Sequence, residues 1–190
     1  LLFIMSAGLS ITMGLMGFVN LAHGAFAMAG GYATVTLMNS AGLPFLVALA
    51  SAFAIVGVGS VILERLLYAP LYHRSELDQT LLSIGLVFMA AAIVTFIYGP
   101  NPPSIQIPDW LRGQVDLGVR TVPAYRLFTI VCGLVFVALL WLLFERTLIG
   151  ARIRAAVDNR NMAQSVGINV DALFMVTFAI GSGMAALGGG

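Results

Sequence analysis

Apolar residues run along this chain in long blocks, and the polar positions between them mark out helices of membrane length. From Leu1 to Leu63 there is no Asp, Glu, Lys or Arg. At about 20 residues per crossing this stretch holds about three spans, expected at 1–18, 24–40 and 44–63. The first break is Gly17-Phe18-Val19-Asn20-Leu21-Ala22-His23-Gly24, where polar groups and glycines interrupt the apolar run. The second, Asn39-Ser40-Ala41-Gly42-Leu43-Pro44, is a turn by composition. Glu64 to Asp78 reads as a charged loop, with Pro70 breaking any long helix. Further spans are expected at 79–99, at 127–144 and from Ala172 to the end. Gly99-Pro100-Asn101-Pro102-Pro103 opens a loop to Tyr125 that carries Asp109, Trp110, Arg112, Asp116 and Arg120 and has room for a short interfacial element. The last two spans are separated by a charged stretch, 145–171. The pattern predicts an all-α integral membrane protein: a polytopic helical bundle of about six spans, with residues 1–190 as a single transmembrane domain.

Two spans carry small residues at helical spacing. Ala25, Ala29 and Ala33 form one stripe, with Ala27 and Gly31 beside it. Gly181, Ala185 and Gly189 form a second, and Ser182, Ala186 and Gly190 a third. Such stripes let helices approach closely, which is how spans associate when lipid offers no hydrophobic drive.

Composition sharpens this picture. Of 190 residues, 60% are hydrophobic and 9% charged, and the mean hydropathy is +1.01. A water-soluble domain of this size does not carry so little charge, so the lipid bilayer is the expected solvent. The chain does not begin with Met and stops inside an apolar run, so a piece of a longer subunit is expected. No basic segment with a small-residue cleavage site precedes the first span, and a cleaved leader is not expected. All nine basic residues are Arg. The absence of Lys excludes a P-loop lysine and a Schiff-base lysine in these residues. Cys132 is the single cysteine, so no disulfide forms within the chain. A net charge of +1 gives no reason to expect a nucleic-acid partner.

Charge sets the orientation. The stretches 64–78 and 145–171 share a side and hold six Arg, at 65, 74, 146, 152, 154 and 160; the opposite side holds three, at 112, 120 and 126. The positive-inside rule puts the six-Arg side in the cytoplasm, and Asn20–Gly24 falls toward it by parity. Within 145–171, Ile153, Ala156, Val157, Ala163 and Val166 fall mostly on one side of a short helix, and Gly167 and Asn169 suit its C-terminal turn. An arginine-rich amphipathic helix between two spans is either a solvated loop or a surface for a partner at the membrane face.

The candidate chemistry is sparse. Asn20 and His23 are the only strongly polar side chains in the first 38 residues. Two readings are open for Asn20, His23 and Gly24. One is a broken helix whose backbone lines a substrate path; the other is an interfacial turn in which Asn20 caps the following helix. Enzyme signatures are absent. Ser182 lacks the Gly two residues upstream that a serine intramembrane protease would want, Ile180 standing there. His23 and His73 have no HExxH spacing, so no metal site is expected. No acidic pair lies mid-span, which weakens a proton-coupled carrier.

Several segments resemble the permease subunits of branched-chain amino acid ABC importers. Gly14-Leu15-Met16-Gly17-Phe18-Val19-Asn20-Leu21-Ala22-His23-Gly24-Ala25-Phe26 is similar to their first-helix signature. Glu64-Arg65-Leu66-Leu67-Tyr68-Ala69-Pro70-Leu71 is similar to their first cytoplasmic loop. Thr147 to Ala156 and Ala163 to Val170 resemble their coupling loop, and Thr177-Phe178-Ala179-Ile180-Gly181 the helix after it. The general coupling pattern of such permeases, Glu-Ala-Ala, three residues, then Gly, falls on Asn161-Met162-Ala163 and Gly167, and only Ala163 and Gly167 agree.

The resemblance implies a transport subunit of the bacterial cytoplasmic (inner) membrane. Its implied partners are cytosolic ABC ATPase subunits, a second permease subunit and an extracytoplasmic solute-binding protein. No cofactor is expected in this chain, and ATP would be bound by the partner ATPase. Arg152, Arg154, Ala155, Ala156, Asp158, Ala163, Gly167 and Ile168 would form the ATPase-coupling surface. The implied cargo is a branched-chain or other hydrophobic amino acid, or a related small solute such as urea or an amide. A secondary carrier or channel without an ATPase is the alternative, and an ATPase gene beside this one would separate the two.

Overall fold

Turn chemistry sets the helix ends. A computed structural model describes residues 2–16, 20–72, 74–100, 111–116 and 121–190. Helix α1 spans Leu2–Met16, α2 spans His23–Ala41 and α3 spans Phe45–Leu63. Gly42 closes α2 with φ 62°, its N–H bonded to the Leu37 carbonyl, and Pro44 precedes the first turn of α3. The turn expected at 39–44 is confined to 42–44, because α2 continues through Asn39, Ser40 and Ala41. Helix α3 does not end at the first charge. A π-turn at Glu64–Tyr68 and a 3-10 turn at Ala69–Leu71 continue it, so the expected charged loop is helical as far as Leu71. Pro70 falls in the first positions of the 3-10 turn, and the helix ends at Leu71, just beyond it.

Helix α4 spans Glu76–Tyr98. The Ser75 hydroxyl accepts from the Asp78 N–H at 3.2 Å, and Glu76 and Asp78 place negative charge at the positive end of the helix dipole. Strands β1 (Gln114–Asp116) and β2 (Thr121–Pro123) form an antiparallel hairpin with Val115 opposite Val122. This is the short element for which the 99–125 loop had room. Asp109, Trp110 and Arg120 of that loop, like Gly17–Val19 of the first break and His73, lie outside the described residues. Helix α5 follows at Ala124–Arg146, then α6 at Leu148–Asp158, α7 at Arg160–Ser165 and α8 at Val170–Gly189.

Among the described residues, four helices are long and apolar enough to cross a membrane: α3 with its extension, α4, α5 and α8. The other two expected spans are helical but fall short of that measure. Helix α1 is described over 15 residues. Helix α2 has 19 residues, but His23, Thr34, Thr36, Asn39 and Ser40 dilute its apolar character. The chain is thus an all-α, multi-pass membrane bundle.

Helix α8 is its axis, packed against α1, α2 and α3. Gly181 and Gly8 face each other so closely that a methyl group on Gly181 would lie 2.5 Å from Thr12 Cγ2 and 2.9 Å from the Gly8 carbonyl. The two α8 stripes read from the sequence are both used: Gly181, Ser182, Ala185 and Ala186 are buried. The α2 stripe is used in part. Ala25 is buried, and Ala27 and Gly31 beside it meet α8 together with Gly30, whereas Ala29 and Ala33 are half-buried. Small residues permit this close backbone approach. Across α3 and α8, the Ser182 hydroxyl donates to Ser60 Oγ at 2.5 Å. Such bonds between spans contribute about 0.6 kcal/mol each.

Candidate functional site

The break before α2 is built from buried polar groups. Asn20 is 1% exposed. Its Oδ1 accepts from the Ala22 N–H at 3.0 Å and from the Tyr68 hydroxyl at 2.9 Å. Asn20 therefore does not cap α2 in the ordinary way; Ala22 holds the cap position without a side-chain bond. Asn20 instead folds an Asx-type turn and ties it to the π-turn after α3. The Leu21 N–H is held by Ser83 Oγ of α4 at 3.3 Å. His23 is buried, with its imidazole edge over Gly8 and Gly181 and its ring edge-on to Phe26 at 6.3 Å. Asn20 Nδ2 has no hydrogen-bond partner among the described residues, and the His23 ring lies against the Gly181 backbone. Gly24, by contrast, is exposed. The structure thus brings Asn20 and His23 into the bundle interior beside α8 and leaves Gly24 at its surface.

Glu64 is a further buried polar group at this end. Reading it as a loop charge is corrected by the fold: the π-turn buries it, at 2% exposure. Its Oε1 accepts from the Tyr72 hydroxyl at 2.6 Å, and Oε2 has no partner among the described residues. Burial first, and then the Glu64 carboxyl, push the Tyr72 hydroxyl well above the usual phenol range, so it stays a donor.

The arginine-rich stretch is two helices rather than one. The sequence pattern placed a single amphipathic helix there, but Asn159 takes extended geometry and splits it. Asn159 Oδ1 accepts from the Met162 N–H at 3.0 Å and starts α7, which is the competing local bond that Asn offers a helix. Thr147 starts α6 in the same way, accepting from the Gly150 N–H at 3.2 Å. Gly150 sits so close to the end of α5 that a methyl group there would lie 2.6 Å from the Leu143 carbonyl. Gly167 ends α7 with φ 84°, and the Ile168 N–H returns to the Ala163 carbonyl at 3.0 Å. Asn169, expected in that turn, instead caps α8 through the Ala172 N–H at 3.0 Å.

The break at Asn159 also redistributes the apolar face. Ile153, Ala156 and Ala163 are buried against Val170, Leu173 and Phe174 of α8. Val157 and Val166 are not: Val157 faces an open cavity with Ser10, Ile11, Gly14 and Phe144, and Val166 is 72% exposed. Arg152, Arg154 and Asp158 are exposed and Ala155 is half-buried. Arg154 also donates to the Phe144 carbonyl, a terminal carbonyl of α5. Arg152, Gly167 and Ile168 share a groove of about 400 Å³ with Ile149, Asn169 and Leu173. Sequence reasoning passed over Arg160, whose guanidinium lies 4.9 Å from the Phe174 ring centre and pairs with Asp171 at 3.5 Å. Its i+11 spacing to Asp171 gave no helical signal, because the chain reverses between them.

The structure thus joins a multi-pass bundle, a buried polar break and an exposed arginine-rich helix pair at the same end. The family described as branched-chain amino acid transport system, permease component, matches residues 1–190, and the chain belongs to it. It is 24% identical to the high-affinity branched-chain amino acid transport system permease protein LivH of Salmonella typhimurium, over 98% of this chain and 64% of the relative. The corresponding protein BraD of Pseudomonas aeruginosa is 24% identical over 97% of this chain and 64% of the relative. A probable branched-chain amino acid transport permease protein LivH of Methanocaldococcus jannaschii is 24% identical, over 100% of this chain and 61% of the relative. The chain thus spans under two thirds of the length of the curated relatives it matches. No solved structure matches it. As a member of this family the chain is a multi-pass protein of the cytoplasmic membrane.

Proposed function

We propose that this chain forms the membrane path of an ATP-driven importer, with α6 and α7 as the cytoplasmic coupling loop within a single transmembrane domain. The observation that carries this reading is the outer face of the α6–α7 pair. Met162 is 67% exposed and Val166 72% exposed, on polar helices that also carry Arg152, Arg154 and Asp158. Large apolar side chains among exposed charges suit a partner's groove better than open water. Cytosolic ABC ATPase subunits would grip this face, and ATP would bind on them. A second permease subunit would complete the path, and an extracytoplasmic binding protein would deliver the solute. The chain itself carries out no chemistry. Asn20, His23 and Gly24 would edge the path at its cytoplasmic end. The cargo is a branched-chain or other hydrophobic amino acid, or a related small solute such as urea or an amide.

The test is uptake of labelled leucine, isoleucine, valine, urea and acetamide into proteoliposomes holding the full-length permease, its partner permease, ATPase and binding protein. Uptake that needs enclosed ATP on the ATPase side is the expected result. Uptake that follows an ion gradient and ignores ATP would replace the importer with a secondary carrier.

A further inference from the structure

We infer that Tyr72 is the joint through which the α6–α7 pair moves the break at Asn20, and so is a positioning residue for transport. This rests on the importer reading above. Among the described residues, Tyr72 packs on both apolar clusters, the one around α8 within the bundle and the one beneath α6 and α7. On one side its ring lies 5.0 Å from Phe174, the ring that also carries the Arg160 guanidinium of α7. On the other its hydroxyl donates to buried Glu64 at 2.6 Å. Glu64 opens the π-turn that ends at Tyr68. Tyr68 packs on Phe178 at 5.1 Å and donates to Asn20 at 2.9 Å. An unbroken line of contacts therefore runs from α7 to the break before α2.

Two features give this line a second arrangement. A π-turn holds one more residue than an α-turn, so a return to α geometry would re-aim the side chains around it, and such turns concentrate at functional sites. Glu64 Oε2 and Asn20 Nδ2 have no partner among the described residues, so each has capacity for a bond it does not make here. A push on Phe174 from α7 would reach Glu64 through one hydrogen bond, and the π-turn converts it into a pull on Asn20. Contact alone does not establish coupling; the claim is that the hydrogen bond transmits the motion.

The complete importer in proteoliposomes tests this by solute taken up per ATP hydrolysed. Tyr72→Phe keeps the ring on Phe174 and removes only the hydroxyl. It should retain the ATPase as wild type does, yet lower the uptake ratio about fivefold, the size of one lost hydrogen bond. Glu64→Leu should match it, and Glu64→Gln, which keeps an acceptor, should restore most of the ratio. Tyr68→Phe combined with Tyr72→Phe should do little more than the worse single change, because both interrupt one line. A wild-type ratio in Tyr72→Phe, fully additive losses, or equal damage from Glu64→Gln and Glu64→Leu would each overturn the joint while leaving the importer standing. A wild-type assembly with no ATP-driven uptake would overturn both.

Discussion

Helices α5 and α8 are both apolar spans, yet their surroundings are opposite. None of the α5 residues is buried, whereas twelve in α8 are. Hydropathy says that a segment can enter lipid; it does not say what the segment packs on. Helix α5 is built of Leu, Val, Phe and Ile, which lipid tails solvate as well as protein does. The C-terminal half of α8 is rich in Gly and Ala with Ser182 among them, which present little to lipid but admit another backbone within contact distance. The axis of the bundle is therefore set by its small residues rather than by its hydropathy, and the residues that tie the α6–α7 pair to the membrane sit at the N-terminal end of that axis.

The sharpest way to break this comparison is bulk on α8. Gly181→Leu would drive carbon into Thr12 and the Gly8 carbonyl, neither of which is the free end of a long side chain. Overpacking of this kind costs about 3 kcal/mol, and the expected result is loss of monodisperse protein in detergent chromatography. Leu134→Ala on α5, at a site 65% exposed, should leave the profile unchanged. Equal damage from the two would mean that α8 is not the axis.

Gly167→Glu comes next. At φ 84° a side chain costs about 1–2 kcal/mol, and the position faces outward. Membrane insertion should be intact and solute uptake lost; uptake at the wild-type rate would remove Gly167 from the coupling surface. A smaller effect is expected of Asn159→Ala, which deletes the cap of α7 and should cost about 1 kcal/mol. Hydrogen exchange should show faster amides at Met162 and Ala163 with α8 unaffected. Protection unchanged at Met162 would mean the cap is not what divides α6 from α7. The least is expected of Asp171→Asn. Its pair with Arg160 is exposed, so less than about 0.5 kcal/mol should be lost, and less still in high salt. A melting shift of several degrees would show the pair to be part of a larger network.

Much of this was legible in the sequence, for a physical reason. A charge-free run of 63 residues can only be spans, glycine and proline marked the turn at 42–44, and Gly167 marked the end of α7. The α8 stripes were legible because small residues at i+4 have few other uses in a membrane. What was not legible depended on which of two local bonds won. Asn159 split a helix that periodicity alone would have continued, because its side chain caps better than its backbone extends. Glu64 looked like the first residue of a loop, since a carboxylate normally ends a span. The π-turn and Tyr72, eight residues on, instead turned it inward, and no helical period predicts a π-turn. Nothing in the sequence pointed to Tyr72, because its ring partner, Phe174, is about a hundred residues away in sequence.

The central claim is that the outer face of α6 and α7 is the seat of an ATPase, and its most direct measurement is retention. The full-length protein would be purified from membranes together with a candidate ATPase from its own genome, in the wild-type form and as Met162→Glu with Val166→Glu. Both positions are exposed, so the bundle should be as stable as before. Retention by the wild type and its loss in the double variant, with an unshifted melting temperature, is the predicted result. Equal retention by both, or none by either, would contradict it.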